Sequence, residues 1–398
     1  MRRPMAGSRQ NTANRPGAFM RILIFATETD WLGPARMPEA LSRAGFEVGV
    51  LCLPGCPIAH TSFVSRRWLV RESVTTIAGT HNIIQHVINE WQPERILPGD
   101  DKAAHVLHNM LATRTDPKRV SPLRTLLLNS LGDPARYTEM TLKSALMKAA
   151  AACGVDMPPA LVSPNRDEAA VFAREHGFPL LLKPDFGAGG TGILFCHTEN
   201  ELHENLSSAL AGKRAEFTLQ KFIKGQAAGV ASSALRGRQL AALAYAHLNK
   251  ARETGPSSVT RRLDRPDMIE ATSRLIAYFG YNGFAGIDFM IEEKTEKAYL
   301  LEFNPRAAPM ASRAHLMGVD TAGAYMAALT NKEPPSVEPV TDTIALFPQE
   351  WNRDPQSPFL RTAWHDVPWN DPPLLKYFVT KFAKDPVSIP SELLGIRP

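Results

Sequence analysis

The segment AYLLEFN, from Ala298 to Asn304, constrains the fold more than any other stretch of this chain. It has the composition of a buried strand. A two-residue period puts Tyr299, Leu301 and Phe303 on one face and Leu300, Glu302 and Asn304 on the other. A carboxylate and an amide on such a strand lose hydration on burial unless a polar partner meets them. The preceding run AGIDFMI supplies one, because a hairpin centred near Thr295 places Asp288 directly opposite Glu302. Two carboxylates side by side are unfavourable without a cation. With the Asn304 amide they form an oxygen-donor set that suits Mg²⁺ bridging phosphates, with Mn²⁺ as the alternative. The plainer reading is a solvated hairpin face.

A second polar intrusion lies upstream. In FPLLLKP, Lys183 interrupts a buried strand, and its ammonium calls for an anion unless it snorkels to water from an edge. The loop DFGAGGTGI follows, with Gly187, Gly189, Gly190 and Gly192 free of the Cβ that keeps backbone N–H groups away from an anion. The spacing matches G-x-G-x-x-G, but a dinucleotide fingerprint needs a helix after the loop and ILFCH continues as a strand. No Gly-Lys-Ser/Thr follows any glycine run, which excludes a Walker loop. The glycines therefore read as a flap between two strands or as a plain glycine-rich hairpin.

Towards the N-terminus, RILIFA, a helix-compatible stretch from Pro34 to Ala44, and FEVGVLCL give strand, helix, strand, the pattern of a parallel sheet. RILPGD adds a strand ending at Asp100 and Asp101. Ligands in open α/β sheets sit at such ends, although an Asp before a helix also serves as a cap. The chain divides into a basic, disordered tail (1–19), an N-terminal α/β unit (20–130), a second unit (131–332) with a flap-bearing part at about 160–222, and a Pro- and Trp-rich segment (333–398). In that last segment Trp351, Trp364 and Trp369 act as packing anchors or cover a substrate pocket.

Charge and cysteine content narrow the function classes. The net charge of +5 comes from Arg2, Arg3, Arg9, Arg15 and Arg21, in a stretch without acids; beyond it basic and acidic residues balance. That argues against a nucleic-acid partner. The first 19 residues hold no apolar run of the length a secretory signal needs, and no transmembrane span is visible, so a cytoplasmic protein starting at Met1 or Met20 is expected. Four cysteines in 398 residues do not make a disulfide framework.

Taken together, FPLLLKPDFGAGGTGI, LQKFIKG and Asp288 with LLEFNPR resemble, in order and spacing, the phosphate-binding flap, hinge and paired magnesium strands of the ATP-grasp superfamily, over about Leu131 to Pro334. The run from Asn304 to Arg306, with Ala311 and Gly318, is particularly similar to the carbamoyl-phosphate synthetase and biotin carboxylase branch. The resemblance implies a mixed α/β and α+β architecture: a Rossmann-like N-terminal domain followed by a two-subdomain ATP-grasp fold. It implies ATP and Mg²⁺ as cofactors, Lys143 and Lys183 on the phosphates, and Gln220, Lys221, Phe222 and Ile223 about adenine. Asp288, Glu302 and Asn304 would hold metal, and Arg306 and Lys250 would face the reacting centre. Lys148 is a rival to Lys143, and Gln226 and Ala227 stand where the family's ribose-binding glutamate is expected.

The implied reaction activates a small carboxylate as an acyl phosphate and transfers the acyl group to an amine, without nucleic acid or membrane, in a monomer or homodimer. A bicarbonate-activating enzyme and a non-catalytic ATP-binding regulatory module are the alternatives.

Overall fold

A computed structural model describes residues 19–71, 77–112, 121–185, 192–211, 216–250 and 257–382. The first unit grows from the apolar run after Met20. Strands β1 (Met20–Ala26), β2 (Phe46–Cys52), β3 (Arg66–Leu69) and β4 (Arg95–Pro98) form an all-parallel sheet in the order β3-β2-β1-β4. Its strands alternate between two cores. Ile22, Ile24 and Ala26 pack with Met37, Ala40 and Leu41 of the helix Met37–Arg43, while Leu23 and Phe25 pack with Ile84, Val87, Ala103 and Leu107 of two helices on the opposite face. A parallel sheet covered on both sides explains why these strands read as unbroken apolar runs.

The second unit has two sheets. Strands β5 (Ala160–Val162), β6 (Leu180–Pro184), β7 (Leu194–Cys196) and β8 (Phe217–Lys221) form an antiparallel sheet in the order β5-β8-β6-β7. The helices Arg166–His176 and Glu199–Ala211 cover one face, burying Leu180, Leu182, Phe217 and Leu219. The uncovered face carries Lys183 paired with Thr218, and Leu181 paired with Gln220.

Strands β9 (Gly225–Leu235), β10 (Arg238–Lys250), β11 (Ser257–Arg262), β12 (Gly283–Glu292), β13 (Ala298–Asn304), β14 (Thr343–Leu346) and β15 (Trp364–Asp366) build a seven-stranded sheet in the order β13-β12-β9-β10-β11-β14-β15. The helix Pro266–Phe279 packs on one face through Met268, Leu275, Ile276 and Phe279. The helix Thr321–Thr330 and the first unit share a core with the other.

The Pro- and Trp-rich C-terminal segment adds regular structure to the large sheet. Ala345 on β14 pairs with Val259 on β11, and β15 extends the sheet in parallel. Trp351 is 4% exposed and packs with Phe347, Leu360, Leu374 and Phe378, as expected of an anchor. Asp371 accepts from the Ser62 amide at 2.9 Å, and Tyr377 Oη donates to the Gly55 carbonyl at 2.6 Å. The segment thus straps the first unit to the large sheet.

One glycine fixes the passage between the two sheets. At Gly225, the first residue of β9, a Cβ would stand 1.9 Å from the Ile291 carbonyl oxygen. Gly225→Ala must push β9 off β12. We expect a stability loss of about 3 kcal/mol, read as a lowered urea midpoint; a midpoint equal to the parent's would show that the strands yield freely.

Candidate active site

The hairpin β12–β13 brings the predicted pair together. Asp288 faces Glu302 in the ladder, in the register a turn near Thr295 dictates. The strict alternation fails one residue earlier, because Phe289 pairs with Leu300 and Leu301 is left over as a bulge. A bulge switches the faces. Leu300 accordingly joins Phe303 in the core, instead of sharing the face of Glu302 as the period implied.

Burial raises the Glu302 carboxyl to about 7, with Asp288 pushing in the same direction and Lys143 opposing. Two carboxylates facing each other across a ladder, one of them buried, form a ready cation site. Among the described residues no cluster of three or more His, Cys, Asp or Glu side chains forms a cage. A two-carboxylate site fits magnesium, which retains water and phosphate oxygens in its shell. Asn304, expected as a third oxygen donor, is engaged elsewhere: its Nδ2 donates to Asp288 Oδ2 at 3.1 Å and its Oδ1 lies 3.4 Å from Arg306 Nη2.

Lys183 is 8% exposed and donates from Nζ to Gln220 Oε1 across β6 and β8. Burial, reinforced by the neighbouring charge of Lys143, lowers its ammonium to about 8, and Glu302 opposes the shift. Lys143 opens the helix Lys143–Ala152 and interacts with both Lys183 and Glu302, whereas Lys148 on the same helix is exposed. Of the two rival lysines, the structure therefore brings Lys143 to the carboxylate pair. Asp185, which the sequence reading passed over, fixes that helix end: Ser144 N and Oγ donate to it at 2.7 and 2.8 Å.

Gln220 and Lys221 end β8, and Phe222 and Ile223 follow at the passage to β9. Gln220 and Ile223 are buried, and the Phe222 ring stands 5.8 Å from that of Phe195. Gln226 donates to the Ala227 and His247 carbonyls at 2.9 and 2.6 Å, so its amide N–H group is committed to backbone. Gly192, with φ +80°, is described; Gly187, Gly189 and Gly190 lie outside the described residues. So does the side chain of Lys250, whose backbone ends β10 opposite Ser257.

Arg306 meets the site differently from expectation. Its fork, anticipated for a substrate carboxylate or acyl phosphate, is occupied: Nε and Nη2 donate to Asp101 at 2.7 and 2.9 Å. Trp31 covers the guanidinium, 5.2 Å from ring centroid to Cζ. Asp100 is the helix cap of the plainer reading, accepting from Ala103 N at 2.7 Å, and it also binds Thr27 Oγ1 at 2.8 Å and Glu28 N at 3.0 Å. Burial and the charges of Asp100 and Asp101 raise the Glu28 carboxyl to about 7. Asp101, expected at a ligand-bearing strand end, thus reaches the site through Arg306, whereas Trp31 carried no signal in the sequence.

A lysine-bearing antiparallel lobe, joined by a short hinge to a larger sheet that carries paired carboxylates, defines the class of the ATP-grasp proteins. Residues 142–309 match the ATP-grasp domain family and form an ATP-grasp domain. It is similar in fold to N5-carboxyaminoimidazole synthetase of Staphylococcus aureus, at 15% identity and TM-score 0.58 over 81% of this chain and 80% of that one. A similar likeness holds for biotin carboxylase of Campylobacter jejuni, solved as its β-γ-ATP complex, at 16% identity and TM-score 0.62 over 80% and 72%. In sequence it is 27% identical over 194 residues to a protein of Emericella nidulans named for urea carboxylase activity. The match takes in 44% of this chain and spans only 15% of that relative's length. No described helix is long and apolar enough to cross a membrane.

Proposed function

We propose that the chain is an ADP-forming ligase that activates a small carboxylate as an acyl phosphate and passes the acyl group to an amine. The observation that carries this reading is the Asp288–Glu302 pair, set within electrostatic reach of Lys143 and Lys183. Asp288 and Glu302 would hold Mg²⁺, which offsets charge on the β and γ phosphates. Lys143 and Lys183 would meet the phosphate oxygens, and Gln220 to Ile223 would line the adenine edge. A substrate carboxylate oxygen bonds to the γ-phosphorus as the bond to the β,γ-bridging oxygen breaks, releasing ADP. The amine nitrogen then attacks the acyl carbon, phosphate leaves, and the amine proton passes to solvent. Positioning and charge neutralisation supply the catalysis, with no side-chain nucleophile.

A second reading, with bicarbonate as the carboxylate, is favoured by the carboxylating enzymes among the similar proteins. It is also favoured by the occupied fork of Arg306, which among the described residues leaves Nη1 for a small anion. ADP release with Mg-ATP, measured against pooled carboxylates with amines and against bicarbonate, separates the two. Dependence on a carboxylate–amine pair supports the ligase, and dependence on bicarbonate supports the second reading. ATP binding without ADP release under any condition would leave a binding module and defeat both.

A further inference from the structure

Arg306 is held from outside the ATP-grasp domain. Its bidentate partner Asp101 lies 205 residues away and opens the helix that follows β4, while the covering Trp31 lies in the loop after β1. The side chain of Arg306 is 11% exposed. With Nε and Nη2 on Asp101, and Nη2 also near Asn304 Oδ1, Nη1 is the donor left without a partner among the described residues. The two holding loops are themselves joined, because Asp100 binds Thr27 and Glu28 on one side and caps the helix of Asp101 on the other. The guanidinium also feels the charges of Asp288 and Glu302. Released from Asp101, it would be drawn onto that pair and occupy the oxygens meant for a cation. A bidentate carboxylate with an aromatic face above it prevents this, since the fork geometry fixes the guanidinium plane.

We propose that Asp101 and Trp31 are positioning residues of the reacting centre, which keep Arg306 off the Asp288–Glu302 pair and aim Nη1 at the anion bound beside it. The N-terminal unit thereby takes part in the geometry of the anion site. Only the identity of the anion rests on the ligase reading.

The test is binding of inorganic phosphate to the protein loaded with Mg-ADP, by calorimetry, alongside ADP affinity and melting temperature. Asp101→Asn should weaken phosphate binding about tenfold and leave ADP affinity within about twofold. In an Arg306→Met background the same change should have no further effect on phosphate. Trp31→Leu, which keeps the ion pair, should weaken phosphate about threefold and decides the matter if Asp101→Asn does not fold. Parental phosphate affinity in the variants, or proportional loss of phosphate and ADP affinity, overturns the proposal. So does a loss that persists without Arg306, or a parent protein whose Mg-ADP complex binds no phosphate. Failure of ADP release with every substrate, alongside the expected phosphate pattern, would refute the ligase reading and leave the positioning role standing.

Discussion

Glu302→Gln abolishes ADP formation, by at least about 10³-fold, and leaves the protein as stable as the parent or more so. The two halves of this expectation have one cause. Glu302 sits across the ladder from Asp288, and burial together with that neighbour holds its carboxyl near 7. In the absence of a cation the pair repels, so replacing one carboxylate by its neutral isostere relieves strain in the fold. In the proposed mechanism the same pair would hold the metal that offsets charge on the phosphates. Loss of one electrostatic contact of that kind costs about 10² to 10³-fold in turnover, and the missing metal adds to it. Turnover by coupled ADP assay and melting temperature should therefore move apart. Undiminished turnover would remove Glu302 from the metal site, and a large fall in melting temperature would show instead that the side chain holds the hairpin.

Much of this site was legible in the sequence because its signals are local. The turn near Thr295 sets the register that brings Asp288 to Glu302, and both strands are long enough to show a period. Lys183 announces itself by interrupting an apolar run. The bulge at Leu301 was invisible, since a leucine there carries no mark of being unpaired; only the packing of Leu300 beside Phe303 reveals it. The partnership of Arg306 with Asp101 spans 205 residues and two sheets, so neither residue alone indicates the other. β14 escaped notice for a different reason. Its four residues, Thr343 to Leu346, are shorter than any period can establish, and they become a strand because β11 offers an edge to pair with. What sequence gives well here is the chemistry each strand carries. What it withholds is which distant loop meets it.

Lys183→Met should weaken ATP binding by about 10 to 100-fold, the range for losing a charge-assisted hydrogen bond to phosphate, without lowering the melting temperature. The ammonium is 8% exposed, and its partner in the structure is an amide oxygen, that of Gln220. Burying a cation there opposes folding, and the lowered value of about 8 expresses that opposition. The unfolded chain takes up the proton more readily than the folded one. Burial of the protonated Lys183 therefore costs its full penalty below about 8, and the penalty fades between that value and the unfolded lysine's value of about 10.4. In the proposed site nucleotide binding would run the other way, because the phosphates would need the charged form. Affinity for ATP should be level below pH 8 and decline above it, approaching tenfold per pH unit until the value in the complex, raised by the phosphates, is reached. Binding above pH 8 should then take up a proton, visible as a dependence of calorimetric heat on the ionisation enthalpy of the buffer. Lys183→Met should lose this decline and the associated proton uptake, while Lys148→Met, on the exposed side of its helix, should retain both. A decline that survives in Lys183→Met would assign the titration to another group and leave the buried ammonium without a part in holding the nucleotide.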